Sequence, residues 1–151
     1  MGHMIQAIIG KKDIIEKIAS DWVKAQTREL PQGYSLLFLT DALYDDIEEL
    51  LEDENMEKIE DFEDMVCYTT PVVHLLKHYS FHSQLVYIET DYAGGYGTQA
   101  GVLFVNGKTV TGPVCSNGII NQLLKDIGVY RERGKDEFDS LHLGIYRCMP
   151  F

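Results

Sequence analysis

The chain has 151 residues, 45% of them hydrophobic and 11% aromatic, enough for one folded domain with a proper core. Its formal charge of −11 argues against direct binding of nucleic acid or an anionic membrane, because both need a basic surface. Three cysteines, Cys67, Cys115 and Cys148, lack any CxxC spacing, which argues against a disulfide framework and a zinc knuckle. The apolar runs fall far short of the ~20 residues of a membrane-spanning helix, and the start of the chain lacks a charged-then-apolar leader, so a cytoplasmic protein is expected. Gly2-His3-Met4 has the composition of a vector remnant, and residues 4–151 are expected to form a single globular domain.

Residues 4–9 are β-type and apolar, and Gly10 separates them from a segment with Ile14, Ile15, Ile18, Ala19 and Trp22 at helical spacing. After the Pro31 to Gly33 turn, residues 34–39 are apolar almost throughout, the pattern of a strand buried on both faces. Thr40 is placed to cap a helix over 41–52 with Leu43, Ile47, Leu50 and Leu51 inward, and Ile59, Phe62, Met65 and Val66 predict a second helix over 57–64. Pro71 suits the first turn of a helix through Tyr79. Strands over 84–91 and 98–106 follow, and Asn106-Gly107 is a two-residue hairpin signal leading into 108–111. A last helix spans about 117–127 with Gly128 as its stop, and the tail over 136–147 is expected to pack across the sheet end. The sum is an α+β domain: a mixed, mainly antiparallel sheet of about five strands with helices packed against it.

The charge is local. Thirteen carboxylates lie between Asp41 and Asp64 against a single Lys58, so the remainder of the chain is nearly neutral. On two helices many of these acids would repeat at three- and four-residue spacing, each like-charged pair costing ~0.2–0.5 kcal/mol at low salt. A solvated, solubilising face is the plain explanation. The functional one is a docking surface for a basic protein through Asp45, Asp46, Glu49, Glu52, Asp53, Glu57, Glu60, Asp61 and Asp64.

Other signals carry less. His74, His78 and His82 stand four apart, a spacing that seeds zinc or nickel sites, but residues 80–83 read as a helix exit and polar helix surface is the expectation; no metal or cofactor is assigned. Gly95-x-Gly97-x-x-Ala100 matches a dinucleotide fingerprint in letters, yet the sequence after it is β-type where the fingerprint needs a helix. A glycine-rich hairpin loop fits better. It would set Glu89, Asp91, Tyr92, Tyr96 and Gln99 around one sheet edge as a second candidate site. Cys115-Ser116 before a helix is read as capping, since nothing near it supplies a base.

Ile9-Gly10-Lys11-Lys12, Glu89-Thr90-Asp91-Tyr92 with Gly94-Gly95 and Gln99-Ala100, Ile120-Asn121, Ile127-Gly128-Val129, and Asp136-Glu137-Phe138-Asp139 with Leu143-Gly144 and Tyr146-Arg147 resemble a family of small bacterial cytoplasmic proteins. The resemblance covers most of the chain, although Ala93 stands where an aromatic is expected. It implies a single-domain protein, and similar small acidic proteins often sit beside toxin genes as immunity partners. The expectation is therefore a non-enzymatic immunity or antitoxin-type protein that covers a basic surface, such as that of a nuclease toxin. The alternative is a small hydrolase or ligand-binding protein using the carboxylates around the glycine loop.

Overall fold

Strand β1 (His3–Lys11) runs through the middle of a six-stranded sheet whose order is β2-β3-β1-β4-β5-β6. The computed structural model describes residues 2–150. The other strands are β2 (Gln26–Glu29), β3 (Tyr34–Phe38), β4 (Leu85–Ala93), β5 (Tyr96–Val105) and β6 (Lys108–Cys115), and every pairing is antiparallel. Helices α1 (Lys12–Asp21), α2 (Asp41–Leu51) and α3 (Thr70–Ser80) supply one face, while α4 (Ile119–Asp126), the short α5 (Glu137–Ser140) and the tail supply the other. The result is a single α+β domain.

Coverage on both faces explains why β1 and β3 are nearly continuous apolar sequence, since alternate residues enter different cores. Ile8 and Leu37 pack with Ile15, Ile18, Ile47 and Leu76 on one side. Ile9, Leu36 and Phe38 pack with Leu123, Leu124 and Leu143 on the other. The Thr40 hydroxyl accepts from the Leu43 N–H at 3.3 Å, satisfying a free donor at the start of α2. Asn106 and Gly107 both take positive φ, 51° and 79°, as a two-residue turn between twisted strands requires. The Gly107 N–H also donates to the Ser80 hydroxyl at 2.8 Å, which fixes this turn to the end of α3.

The structure overturns one sequence expectation, the second acidic helix, and refines three others. First, there is no helix over 57–64; α2 ends at Leu51 and residues 52–69 form an irregular segment. Its backbone groups find partners outside any helical ladder. The Ile59 N–H donates to Thr70 Oγ1 at 3.3 Å, and His74 Nε2 donates to the Glu57 carbonyl at 2.8 Å. Met65 is buried and Ile59 and Phe62 half-buried, so the apolar spacing that mimicked a helix serves to anchor a loop. Leaving the helix also dissolves the like-charge pairs at 57/60, 57/61, 60/63, 60/64 and 61/64.

Second, the sheet has six strands rather than about five: β2 is polar sequence, Gln-Thr-Arg-Glu, and forms only as an edge strand on β3. Third, β1 begins one residue before the expected domain start: His3, within the vector-like Gly2-His3-Met4 stretch, pairs with Tyr92, while Met1 lies outside the described residues. Fourth, the tail does not merely cross the sheet end. Leu141 and Leu143 are fully buried in the α4-side core, with Phe138 packed beside them.

Candidate functional site

The acidic segment combines the exposed side of α2 with the loop over 52–69. Asp45, Glu49, Glu52, Asp53, Glu57, Glu60, Asp61 and Asp64 are exposed, and Asp46 is half-buried in an ion pair with Lys24 at 2.9 Å. Among the described residues, no other member of this set has a basic partner. Between α2 and the start of α3 the segment borders an open hollow of about 330 Å³ walled by Glu48, Glu52, Asp53 and Glu54, with Lys58 on its rim and Met56 and Pro71 as its apolar part. Leu50 and Val66, 69% and 73% exposed, are apolar side chains standing in the same acidic stretch.

One buried group ties this segment to the sheet. Glu89 on β4 is 7% exposed, and its two carboxylate oxygens accept from the Val66 N–H at 2.7 Å and the Cys67 N–H at 2.9 Å. The fully buried Tyr87 hydroxyl donates to the same carboxylate at 2.6 Å. A buried carboxylate is tolerable when several donors replace its water, and three do so here. Burial, and next the negative charge of Glu89, push the Tyr87 phenol well above its ordinary value and the Cys67 thiol up to about 12. The thiolate is the reactive form, so this shift makes Cys67 a poor nucleophile near neutral pH. A single equivalent of iodoacetamide should therefore modify the exposed Cys148 well before Cys67, as read by peptide mass spectrometry. Prior labelling of Cys67 would contradict the described environment.

The second candidate set is divided by the pleat. Successive strand residues face opposite ways, so Glu89 and Asp91 lie on the α1–α3 face while Thr90 and Tyr92 lie on the α4 face. Tyr96, 86% exposed, stands at the hairpin end. Tyr92 and Gln99 do meet: Gln99 Nε2 donates to the Tyr92 hydroxyl at 3.0 Å, and its Oε1 accepts from the Ile120 N–H at 2.9 Å. They line a cavity of about 360 Å³ together with His3, Thr90, Gly95, Ile120, Asn121, Asp136 and Phe138. Spacing arguments missed Thr90, Asn121, Asp136 and Phe138 because three separate stretches of chain contribute them.

The expected glycine loop is a tight turn with Gly94 and Gly95 at φ of 61° and 82°. β5 follows it directly, so the fingerprint lettering has no helix behind it. In the histidine row, α3 ends at Ser80 and His82 lies beyond it.

The fold and these two sites define a single-domain α+β protein with an acidic outer segment on one face of its sheet and a polar cavity on the other. No family model, curated protein or solved structure matches the chain. No helix among the described residues is long and apolar enough to cross a membrane.

Proposed function

We propose that this is a non-enzymatic binding protein of the immunity or antitoxin kind, whose 41–64 segment covers a basic surface on a partner protein such as a nuclease toxin. The observation that carries the reading is the set of exposed acids left without basic partners on a segment stapled to the sheet by Glu89. An anchored loop presents its charges in fixed positions, so less ordering is needed on binding than for a floppy acidic tail. The hollow holds four carboxylates, Glu48, Glu52, Asp53 and Glu54, against the single Lys58, so it keeps a net negative charge and the size to receive a lysine or arginine side chain. Leu50 and Val66 supply exposed apolar area, without which opposed charge gives speed and selectivity but little lasting affinity.

The rival reading, acid and base catalysis by Glu89 with Asp91, requires two carboxylates free to exchange protons with one substrate. Glu89 is occupied by three donors and covered by the loop, which favours the binding role. The proposal is tested by capturing partners from the native host at low and high salt, then measuring the association rate of any basic protein recovered. A rate that falls steeply with ionic strength supports it. Absence of a basic partner, or a rate indifferent to salt, removes it.

A further inference from the structure

The cavity on the α4 face is separate from the acidic segment and unused by the proposed function. Its walls are pre-arranged. Asp136 Oδ1 accepts from the Asp139 N–H at 2.8 Å and Oδ2 from Asn121 Nδ2 at 3.1 Å, while Asn121 Oδ1 is itself held by the Phe138 N–H at 2.8 Å. Each carboxylate oxygen can accept a further hydrogen bond, and the Tyr92 hydroxyl, which accepts from Gln99, keeps its own proton to donate. Two aromatic rings, Tyr92 and Phe138, and the Ile120 side chain provide the apolar remainder.

We infer that this cavity binds a small organic cation, an amine or guanidine, whose N–H groups bond the Asp136 carboxylate while its body lies against the Tyr92 and Phe138 rings. The sign follows from the lining: Asp136 contributes a negative charge, and no lysine or arginine is present to receive an anion. The remaining ionisable group able to turn positive, His3, is held below its ordinary value, chiefly by burial and also by the nearby charge of Arg147. A ring face attracts a cation more than a neutral group of the same shape. At about 360 Å³ the space lies at the small end for ligand sites, which fits a compact molecule or one side chain. The inference stands independently of the acidic segment, on the opposite face of the sheet.

The shared chemistry has two sources, a free small molecule or an arginine or lysine side chain of another protein. The test is an NMR titration of the full ¹⁵N-labelled chain with n-butylguanidine, its neutral isostere n-butylurea, and the peptide Gly-Arg-Gly. Saturable shifts are expected at the amides of Tyr92, Gln99, Asn121 and Phe138, with n-butylurea at least about tenfold weaker. Asp136→Asn, which keeps a capping side chain for α5, should weaken n-butylguanidine about tenfold or more. Phe138→Leu offers a second check that spares the carboxylate, and it too should weaken binding. Tighter binding of n-butylguanidine than of the peptide identifies a free ligand, and the reverse identifies a protein side chain. No saturable shift, equal binding of the urea, or shifts confined to 41–64 would overturn the inference, and the last result would leave the proposed function standing.

Discussion

Glu89→Ala should lower stability by about 3 kcal/mol, a fall of roughly 6–12 °C in Tm for a domain of this size. The substitution removes the acceptor for three donors at once: the Val66 and Cys67 N–H groups and the Tyr87 hydroxyl. Water can reach the two half-buried amides more readily than the phenol, which is fully buried, so Tyr87 bears the largest part of the loss. Glu89→Gln should cost less, about 2 kcal/mol, because one oxygen remains while the new NH₂ group faces a donor. Urea titration measures the loss, and hydrogen exchange at Val66 and Cys67 locates it. Faster exchange there, with little change in β1, is the expected pattern. A Glu89→Ala protein as stable as the parent would show that the staple holds nothing.

Leu123→Ala should cost about 2–5 kcal/mol, because Leu123 is fully buried between α4 and the sheet. The contact it makes is unusually close. A Cβ built on Gly101 would lie 2.4 Å from Leu123 Cδ1, so β5 has glycine where α4 presses its leucine onto the strand. Gly101→Ala alone should therefore overpack and cost about 1–3 kcal/mol. Combined with Leu123→Ala the added methyl enters the space the leucine leaves, and the double variant should lose at least about 1 kcal/mol less than the sum of the singles. Additive losses in a chemical denaturation cycle would contradict this packing.

Much of the architecture was legible because it is written in local periodicity. The Ile14, Ile15 and Ile18 stripe, the Thr40 cap, Pro71 at the start of α3 and Asn106-Gly107 each have a local physical cause that tertiary structure leaves in force. The 57–64 segment had the same lettering as an amphipathic helix. It failed because the competing partners, Thr70 and His74 for the segment itself and Glu89 for Val66 and Cys67 just after it, lie elsewhere in the chain and cannot be read from spacing. β2 was invisible for the opposite reason: an edge strand paired on one side needs no apolar pattern, only a neighbour. For the candidate sites, the acids of 41–64 announced themselves by composition, while the hollow among them depends on the loop path. Glu89 is instructive as well. An acid inside the buried run of β4 signals an internal acceptor more strongly than a surface carboxylate, and the two-residue period already set it apart from Tyr92.

The central claim is that the 41–64 surface exists to meet a cationic protein, and it is tested most directly by removing most of its charge while leaving the Glu89 staple and the apolar anchors in place. Asp45, Asp46, Glu49, Glu52, Asp53, Glu57, Glu60, Asp61 and Asp64 are replaced by Asn or Gln, leaving Glu48, Glu89 and the apolar anchors in place. Partner recovery from the native host is then compared with that of the parent at low salt. The altered protein should melt no lower than the parent, since like-charge repulsion is relieved, yet should lose the basic partner that the parent retains. Retention of the same partner at undiminished affinity by the folded variant would contradict the claim outright.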